Sequence, residues 1–392
     1  MKGVASKVLI VLGILLVVAS ILWWAIAVNV MVKFPEGVES TPVYEGEVDI
    51  YLNPLTNEFL EEPLQALLSI VREIKSRDDL YSSDRAVVEE KITQTIGIPG
   101  SAPIIDEASY VLDRKSMENV GDPTNSWAYV EDNVVDRSGT YYINFPFDLS
   151  KDKSYKVSDN KSGSSYEISI EKESEEEDLE GLKVYNFRGE LPLSPAAEAY
   201  VEHMGYPQEI DFAKLTGVMK AKGFDVDGMM AVLQSALSPE DLQLLQAGLA
   251  RPIKLEYYYY TSGRASLEPR TGSIIRLRDV VEGVKVAPAF GQLLQLLEKY
   301  SGNEKVAVVL KNLKEMEPQP VYEARYSQTD ESVKEAAAEA SDNINKINWV
   351  KVYVPWILLI VGAALLVGGL LMGGSPAALE EEGGEGSAEA EE

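Results

Sequence analysis

The sequence predicts an α+β protein, in which an antiparallel, β-rich extracytoplasmic domain with helical insertions is flanked by two transmembrane helices. Three observations support this fold class. Long uncharged apolar segments lie near both ends of the 392-residue chain. Short strand-like segments, separated by turn-forming residues, fill most of the chain between them. Residues 195–250 have a helical pattern instead, which is typical of an insertion into a β-rich domain.

The two apolar segments, residues 8–32 and residues 352–372, contain no charged side chain. A membrane-spanning helix needs about 20 apolar residues, so each segment is long enough to cross a bilayer. Aromatic residues that favour the membrane interface lie toward the central domain in both segments: Trp23, Trp24, Trp349, Tyr353 and Trp356. A cleaved signal peptide is the main alternative for the first segment, because residues 25–27 resemble a cleavage site, although a signal has a shorter apolar stretch.

The basic residues at the N-terminus predict the orientation of the chain. Lys2 and Lys7 lie in the short tail of residues 1–7 and favour a cytoplasmic N-terminus. The β-rich domain, residues 33–330, is then extracytoplasmic, and the C-terminus returns to the cytoplasm. The polar, alanine-rich residues 331–351 are predicted to form a helical stalk that leads into the second span.

Two strongly acidic segments are predicted to be disordered or fully solvated. Residues 171–180 hold seven acidic side chains, and residues 373–392 form an acidic C-terminal tail. Both have few apolar residues to bury, and their charges repel one another. For the first segment, a solvated loop is favoured over a calcium site. The formal net charge of −27 also disfavours binding of nucleic acid, whose phosphates it would repel.

Within the central domain, alternation of period two predicts strands and spacing of three to four residues predicts helices. Residues 60–74 are predicted to be helical, because Leu64, Leu67, Leu68 and Val71 share one stripe. A further helix is predicted at residues 291–300, and Ser238 is predicted to cap a helix. The predicted strands are residues 38–53, 109–113, 127–135, 140–144, 155–158, 166–170, 181–187, 253–261, 272–277 and 321–326.

The residue types available for chemistry are few. The absence of cysteine excludes disulfides, thiolate metal sites and cysteine nucleophiles, and the single histidine excludes multi-histidine metal sites. No glycine-rich phosphate-binding motif is present. His203 is interpreted as a surface or hydrogen-bonded histidine rather than a catalytic base. The sequence therefore predicts no enzyme, no catalytic residue, no metal and no cofactor, and it leaves the ligand-binding residues unassigned.

Three short motifs have a structural interpretation and a functional one. The run Asp225-Val226-Asp227-Gly228 resembles part of a calcium loop, but Met229 and Met230 follow where oxygen ligands are needed, so helix capping is favoured. Tyr257 to Tyr260 would place two tyrosines on each face of a strand, with core packing favoured over a ligand platform. Asn160-Lys161-Ser162 fits a glycosylation acceptor, a pattern that is frequent by chance.

The second apolar segment contains small residues that allow close helix contact. They are Ala364, Gly368, Gly369 and Gly373. Such residues mediate self-association of membrane helices or packing of the two spans against each other. Neither span contains an ionisable group, so the sequence predicts no proton relay or ion path within them.

Several short sequence motifs occur in an order that resembles one protein family. They are Val43-Tyr44-Glu45-Gly46, Tyr110-Val111-Leu112-Asp113-Arg114, Tyr142-Ile143-Asn144-Phe145-Pro146-Phe147-Asp148 with Tyr155 and Asp159 downstream, Gly181-Leu182-Lys183-Val184-Tyr185-Asn186-Phe187 and Pro269-Arg270-Thr271-Gly272. Together with the two spans, they resemble the PorA-like porin family, known mainly from actinobacteria and largely uncharacterised. The resemblance covers residues 10–190 and 250–372, so residues 195–250 would be a lineage-specific insertion.

The family name implies a porin, but a membrane β-barrel needs at least about eight strands of about ten residues with outward apolar alternation. This chain has two helical spans and a water-soluble middle instead. That layout is similar to the CD36 scavenger-receptor group, whose exterior domain accommodates lipid. The similarity is one of layout, and layout alone does not determine function.

These observations lead to three functional hypotheses. The first is a two-pass cell-surface protein whose exterior domain binds or conveys an apolar ligand such as lipid. The second is a structural or adhesion component of the cell envelope without a small-molecule ligand. The third is a hydrolase with two carboxylates, which requires an acidic pair about 5–9 Å apart in a cleft.

Overall fold

The computed structural model describes residues 2–27, 31–56 and 58–373, and it divides the chain into two compact units. One comprises Met1–Lys33 and Ile344–Glu392, and the other comprises Phe34–Asn343. The helices are α1 (Lys2–Leu22), α2 (Glu198–His203), α3 (Phe212–Ala221), α4 (Val226–Ala236), α5 (Pro239–Leu249), α6 (Gly291–Glu298), α7 (Glu304–Lys314), α8 (Asp330–Asn348) and α9 (Val354–Gly373). Nearly all of the predicted acidic tail, residues 374–392, lies outside the described residues.

The second unit contains the strands. They are β1 (Glu39–Ser40), β2 (Val43–Leu52), β3 (Phe59–Ser76), β4 (Arg85–Ile96), β5 (Ile104–Asp113), β6 (Trp127–Ala128), β7 (Val130–Val134), β8 (Tyr155–Asp159), β9 (Ser164–Ile170), β10 (Glu176–Leu179), β11 (Leu182–Pro195), β12 (Glu209–Ile210), β13 (Ile253–Leu267), β14 (Ile274–Pro288) and β15 (Gln319–Gln328). The pairings between these strands are antiparallel, in the order β7-β6-β5-β4-β3-β2-β15-β14-β13-β11-β9-β8. The combination of helices with an antiparallel sheet thus agrees with the predicted α+β fold class.

The sheet is curled, because the segment after β5 joins its two ends. Asn119 forms a bridge with Leu112 of β5, and its backbone N–H donates to the carbonyl of Thr140 at 2.7 Å. Tyr141 then pairs with β8, donating to the carbonyl of Lys156 at 2.8 Å. The sheet thereby encloses an interior, and inward-facing side chains from distant strands meet there.

The predicted helix at residues 60–74 is wrong, because this segment belongs to strand β3. Its buried positions alternate from Leu68 to Ser76, with Ile70 and Arg72 between them. Leu67 is exposed and its neighbour Leu68 is buried, so β3 has apolar residues on both faces, and the leucine spacing resembled a helical stripe. Pro63 is tolerated in β3 because β4 pairs with this strand only from Leu68 onward, which leaves one side of the earlier part without a ladder partner.

The acidic segment 171–180 is ordered, contrary to the prediction of disorder, but most of its acidic side chains are exposed to solvent, as the alternative of a solvated segment predicts. Its second half forms β10, which pairs with β11. Neighbouring cations offset its charge: Arg264 Nε lies 2.9 Å from Glu171, and Lys151 Nζ lies 2.9 Å from Glu176. Sequence reasoning considered only the repulsion within the segment. Residues 140–144 were predicted as a strand and form only the single bridge at Tyr141.

A group of helices packs into its own apolar clusters beside the sheet. Leu233, Leu245 and Leu297 are buried together from α4, α5 and α6. The start of α5 is as predicted, since Ser238 Oγ accepts a hydrogen bond from the Asp241 N–H at 3.2 Å. This helical region extends beyond the predicted insertion, because α6 and α7 follow β14 in the chain.

In the first unit, α1 and α9 pack antiparallel. The Ser6 hydroxyl donates to the carbonyl of Gly369 at 2.7 Å, and the Ser20 hydroxyl donates to the carbonyl of Pro355 at 2.8 Å. Trp23 Nε1 donates to the carbonyl of Val350 at 3.1 Å, which brings together the aromatic-rich ends of the two helices. The helical segments Val4–Ile26 and Asp330–Met372 are long and apolar enough to cross a membrane.

Candidate ligand-binding cavities

The interior of the sheet contains a cavity of about 230 Å³, called here the polar cavity after the charged side chains that lie in its otherwise largely apolar wall. Its polar lining includes Arg72, Glu90, Ser158, Asp159, Lys161 and Glu282, and its walls include the rings of Tyr142, Tyr166, Tyr259 and Tyr326. On β3 and β4, strand alternation places Arg72 and Glu90 inside, because every second side chain of a strand points to the same face. On β4, for example, Val88, Glu90 and Ile92 follow this period.

Two buried ion pairs form the centre of this lining. Arg72 Nε donates to Glu90 Oε1 at 2.5 Å, and Lys161 Nζ donates to both carboxylate oxygens of Glu282 at 2.8 and 2.9 Å. Tyrosines complete the pairs: Tyr110 donates to Glu90 at 2.8 Å, and the Tyr259 hydroxyl donates to Glu282 at 2.9 Å. Each buried charge therefore has an opposite charge and further hydrogen bonds, as burial requires.

The pKa values of these groups keep both cations charged. Burial is the largest effect on the pKa of Arg72 and lowers it, but Glu90 and the neighbouring tyrosines together outweigh burial and hold the pKa well above its ordinary value. The pKa of Lys161 is likewise raised, because Glu282 and the other acidic groups around it together outweigh burial, the largest single effect. Burial raises the pKa of Asp159, and hydrogen bonds from the Ser162 hydroxyl and N–H, which lower the pKa, offset only part of this effect. Burial also raises the pKa of Tyr259, so its hydroxyl is a neutral donor.

A second cavity, of about 500 Å³, lies at the rim of the sheet and is called here the apolar cavity. Its lining is mainly apolar and includes Leu52, Leu55, Ile96, Ile104, Met204 and Tyr206. The side chains come from β2, β4, β5 and the segment around α2. Its volume and composition match those of typical small-molecule sites, which are concave, mostly apolar and about 300–1,000 Å³ in size.

A hydrogen-bonded group lies where the two cavities adjoin. Gln94 lines both cavities, Asp106 lines the polar one and His203 lines the apolar one. Asp106 joins the other two, since Gln94 Nε2 donates to it at 3.2 Å and His203 Nε2 lies 2.9 Å from its other oxygen. The hydrogen bond with Asp106 raises the pKa of His203 above its ordinary value, against partial burial. His203 is thus a partnered histidine, as the sequence indicated, and it stacks on Tyr129 with ring centroids 5.0 Å apart.

The other predicted motifs have structural roles. Asp225 caps α4 by accepting a hydrogen bond from the Gly228 N–H at 2.9 Å, which confirms the capping interpretation. Tyr257 and Tyr259 are buried while Tyr258 and Tyr260 are only partly so, which confirms core packing on one face. The described residues contain no group of three or more His, Asp or Glu side chains arranged to hold a metal ion.

Asn160, the predicted glycosylation acceptor, links the two ends of the sheet. Its Nδ2 donates to the Tyr110 hydroxyl at 2.8 Å, and its Oδ1 accepts from Arg137 Nε at 2.8 Å. Arg137 is buried, donates to the carbonyl of Ser109 at 3.0 Å, and lies 4.3 Å from the ring centre of Tyr110. Sequence reasoning missed Arg72, Arg137 and Glu282. For Arg72 and Glu282, a charged residue at an inward position of an otherwise apolar strand was the available signal, whereas Arg137 lies outside the strands.

Several of the sequence motifs on which the family resemblance is based contact one another in the structure. Asn144 and Thr271 are 127 residues apart, and Asn144 Nδ2 donates to the Thr271 carbonyl at 2.9 Å. The Phe145 N–H donates to the carbonyl of Gly272 at 2.9 Å. Arg114 is buried, and its Nε donates to the carbonyl of Phe34 at 2.9 Å. These motifs therefore connect segments of the β-rich unit that are distant in the sequence.

Two helices that are long and apolar enough to cross a membrane, together with a curled antiparallel sheet, define a mixed helix-and-strand protein. The family model described as Porin PorA matches residues 5–371, and the chain therefore belongs to this family. Membership indicates a membrane or cell-envelope protein with a channel or structural role rather than an enzyme. No curated protein matches the chain in sequence.

Proposed function

We propose that this protein is a two-pass membrane protein whose β-rich unit lies outside the cell and binds an apolar ligand, such as a lipid chain, in the apolar cavity. The observation that carries the proposal is the size and lining of that cavity. An apolar chain that enters it leaves water for a surface of leucine, isoleucine and methionine side chains, which is favourable by the hydrophobic effect.

The exposed surface of the helical unit supports the membrane part of the proposal. Large apolar side chains such as Leu370, Ile360 and Ile21 are each more than 60% exposed in the absence of a bilayer. Soluble proteins rarely expose contiguous apolar surface on this scale, whereas lipid covers it without cost. Lys2 and Lys7 favour cytoplasmic termini by the positive-inside rule. The layout is similar to that of the CD36 scavenger-receptor group, which is consistent with a lipid-accommodating exterior unit.

The experiment uses the full chain in lipid nanodiscs with a diazirine-labelled palmitate, crosslinked by light and mapped by mass spectrometry. We expect crosslinks to the helices, which face lipid, and also to residues of the apolar cavity. Ile104→Trp adds bulk to the cavity lining and should reduce the cavity crosslinks about fivefold, with the helix crosslinks as an internal reference. Val308→Trp, at an exposed position of α7, is the matched control. Crosslinks confined to the helices, or unchanged in Ile104→Trp, would contradict the proposal.

A structural or adhesion role is the second candidate, and one observation favours it. Strand β7 is the last strand at one end of the sheet order, and Val130 and Val134 on it are each more than half exposed. An edge strand with exposed valines is a template for pairing with another chain. This role becomes the favoured one if the palmitate probe does not label the cavity and Val130→Lys abolishes adhesion between cells that carry the protein.

A further inference from the structure

The lining of the apolar cavity is polar at its inner end and apolar at its opening. Gln94 and His203 lie at the inner end, where this cavity adjoins the polar one. Tyr322 also lines it, and the Tyr322 hydroxyl lies 3.5 Å from Glu282, which belongs to the lining of the polar cavity. Leu55, in the turn after β2, lines the cavity as well and is 60% exposed, so the cavity opens to solvent beside apolar side chains. A ligand that matches this lining has a polar group inside and an apolar chain toward the opening.

Gln94 supplies a hydrogen-bond acceptor at the inner end. Its Nε2 donates to Asp106, whereas its Oε1 has no hydrogen-bond partner among the described residues. Gln94 lies on the inward face of β4, two residues after Ile92, and it is only partly buried. A hydroxyl group can donate to this amide oxygen, but an ionised carboxylate has no proton to donate.

The charges around the cavity indicate that the polar group of the ligand is neutral. The described residues that line the cavity include no lysine and no arginine, and His203 already faces Asp106 at 2.9 Å. A carboxylate at the inner end would lie close to Asp106 without a cation of its own, and an amine would find Asp106 already paired. Moving an unpaired charge from water into such a site is costly.

The volume of the cavity limits the length of the chain. A methylene group is about as large as a water molecule, which takes up about 30 Å³. The cavity of about 500 Å³ therefore holds one chain of about sixteen carbons. A phospholipid has two such chains and a charged head, so neither its size nor its charge fits.

We propose that the ligand of the apolar cavity is a single-chain alcohol, whose hydroxyl donates to Gln94 Oε1 and whose chain extends toward Leu55. This inference rests on the proposed function, because it concerns the same cavity, and it adds the chemical class of the ligand and its orientation. A fatty acid fills the same space with its chain, but its charged head makes it the weaker ligand.

The test compares diazirine-labelled hexadecanol, palmitate and hexadecylamine on the full chain in lipid nanodiscs at pH 8, where the last two are charged. Crosslinks to the cavity are divided by crosslinks to the membrane helices, which corrects for the amount of each probe in the bilayer. We expect hexadecanol to label the cavity at least fivefold more than palmitate or hexadecylamine. With the diazirine near the hydroxyl, crosslinks should map around Gln94 and His203. With the diazirine near the end of the chain, they should map around Leu55 and Pro103.

Gln94→Leu keeps the approximate size of the side chain and removes the acceptor. It should reduce hexadecanol labelling of the cavity about fivefold, because one hydrogen bond is lost, and leave palmitate labelling unchanged. Gln65→Leu is the matched control. Gln65 Nε2 donates to Asp49 at 3.1 Å, as Gln94 Nε2 donates to Asp106, but Gln65 is an exposed residue of β3. This variant should be labelled like the unaltered protein.

The orientation of hexadecanol is measured on the unaltered protein, so it decides the result if circular dichroism shows that Gln94→Leu does not fold. The inference is overturned if palmitate labels the cavity as strongly as hexadecanol, or if the hydroxyl end of hexadecanol lies at Leu55. It is also overturned if Gln94→Leu is labelled like Gln65→Leu. In each of these cases the cavity still binds an apolar chain, so the proposed function stands. Absence of cavity labelling by all three probes contradicts the proposed function itself, and this inference with it.

Discussion

Gly272 lies in the turn between β13 and β14, in the left-handed region of backbone space with a φ of +71°. A Cβ atom at this position would come within 1.9 Å of the carbonyl oxygen of Phe145. The turn also contains Glu268, which is buried and accepts hydrogen bonds from the N–H and hydroxyl of Thr271. Only a residue without a side chain allows the two chain segments to meet here.

We therefore expect Gly272→Ala to destabilise the protein by about 3 kcal/mol or more. About 1–2 kcal/mol comes from the left-handed conformation, and the clash with Phe145 adds the rest. Gly139→Ala is the control, because Gly139 has a similar φ of +73° but open space around the missing Cβ. Urea unfolding of the full chain in detergent, followed by circular dichroism, measures both. Equal losses in the two variants would show that the close approach to Phe145 contributes nothing.

At the same scale, local motifs could be predicted from the sequence and long-range pairs could not. The cap at Asp225 and the alternating burial of Tyr257 and Tyr259 depend on neighbours within a few residues, so the pattern contains the information. Arg72 and Glu90 pair across strands that are brought together only by the sheet. A charged residue on its own resembles a solvent-facing one, which is why the polar cavity was not foreseen.

Elements were predictable where β-branched and aromatic residues were dense. Strands β5, β13 and β15 overlap predicted strands, whereas β3 was predicted as a helix because it has apolar residues such as Leu67 and Leu68 on both faces. The antiparallel packing of α1 and α9 was one of two alternatives for the small residues in the second span. Gly369 lies in that packing, with Ile10 and the carbonyl of Ser6 close to it.

This packing gives a prediction for two neighbouring glycines. A side chain at Gly369 would meet Ile10 Cγ1 at 2.7 Å, while Gly368 has nothing within 4 Å of its missing Cβ. Gly369→Ile should therefore separate α1 from α9, and Gly368→Ile should not. Because the chain has no cysteine, spin labels on Leu12→Cys and Leu370→Cys are unique, and both positions are exposed. Pulsed EPR should give a broadened distance distribution only for Gly369→Ile.

The reverse result would identify Gly368 as the contact residue. If Gly368→Ile alone changes the oligomeric state in detergent, the small residues of the second span mediate self-association, as the sequence also allowed. Both glycines lie in α9, so replacing glycine by isoleucine changes the helix propensity by the same amount in the two variants.

At the scale of the whole molecule, the antiparallel sheet was predictable from composition and turns, but its curl was not. The curl depends on Asn119, Thr140 and Tyr141, whose backbone groups join β5 to β8, and on the buried Arg137 beside them. These contacts link positions that have no periodic relation to each other. The cavities follow from the curl, so their existence could be learned only from the structure.

The arrangement of the chain across the membrane gives the last prediction. If the termini are cytoplasmic and the β-rich unit is outside, a reagent that cannot cross membranes should reach that unit on intact cells. Ser301→Cys places a unique thiol at an exposed position of the unit, and Ser375→Cys places one after the second helix. A membrane-impermeant maleimide should label Ser301→Cys on intact cells, and Ser375→Cys only after lysis. The positive-inside rule predicts this result from Lys2 and Lys7 alone. Labelling of Ser375→Cys on intact cells, with Ser301→Cys protected, would place the ligand-binding unit in the cytoplasm and exclude a role at the cell surface.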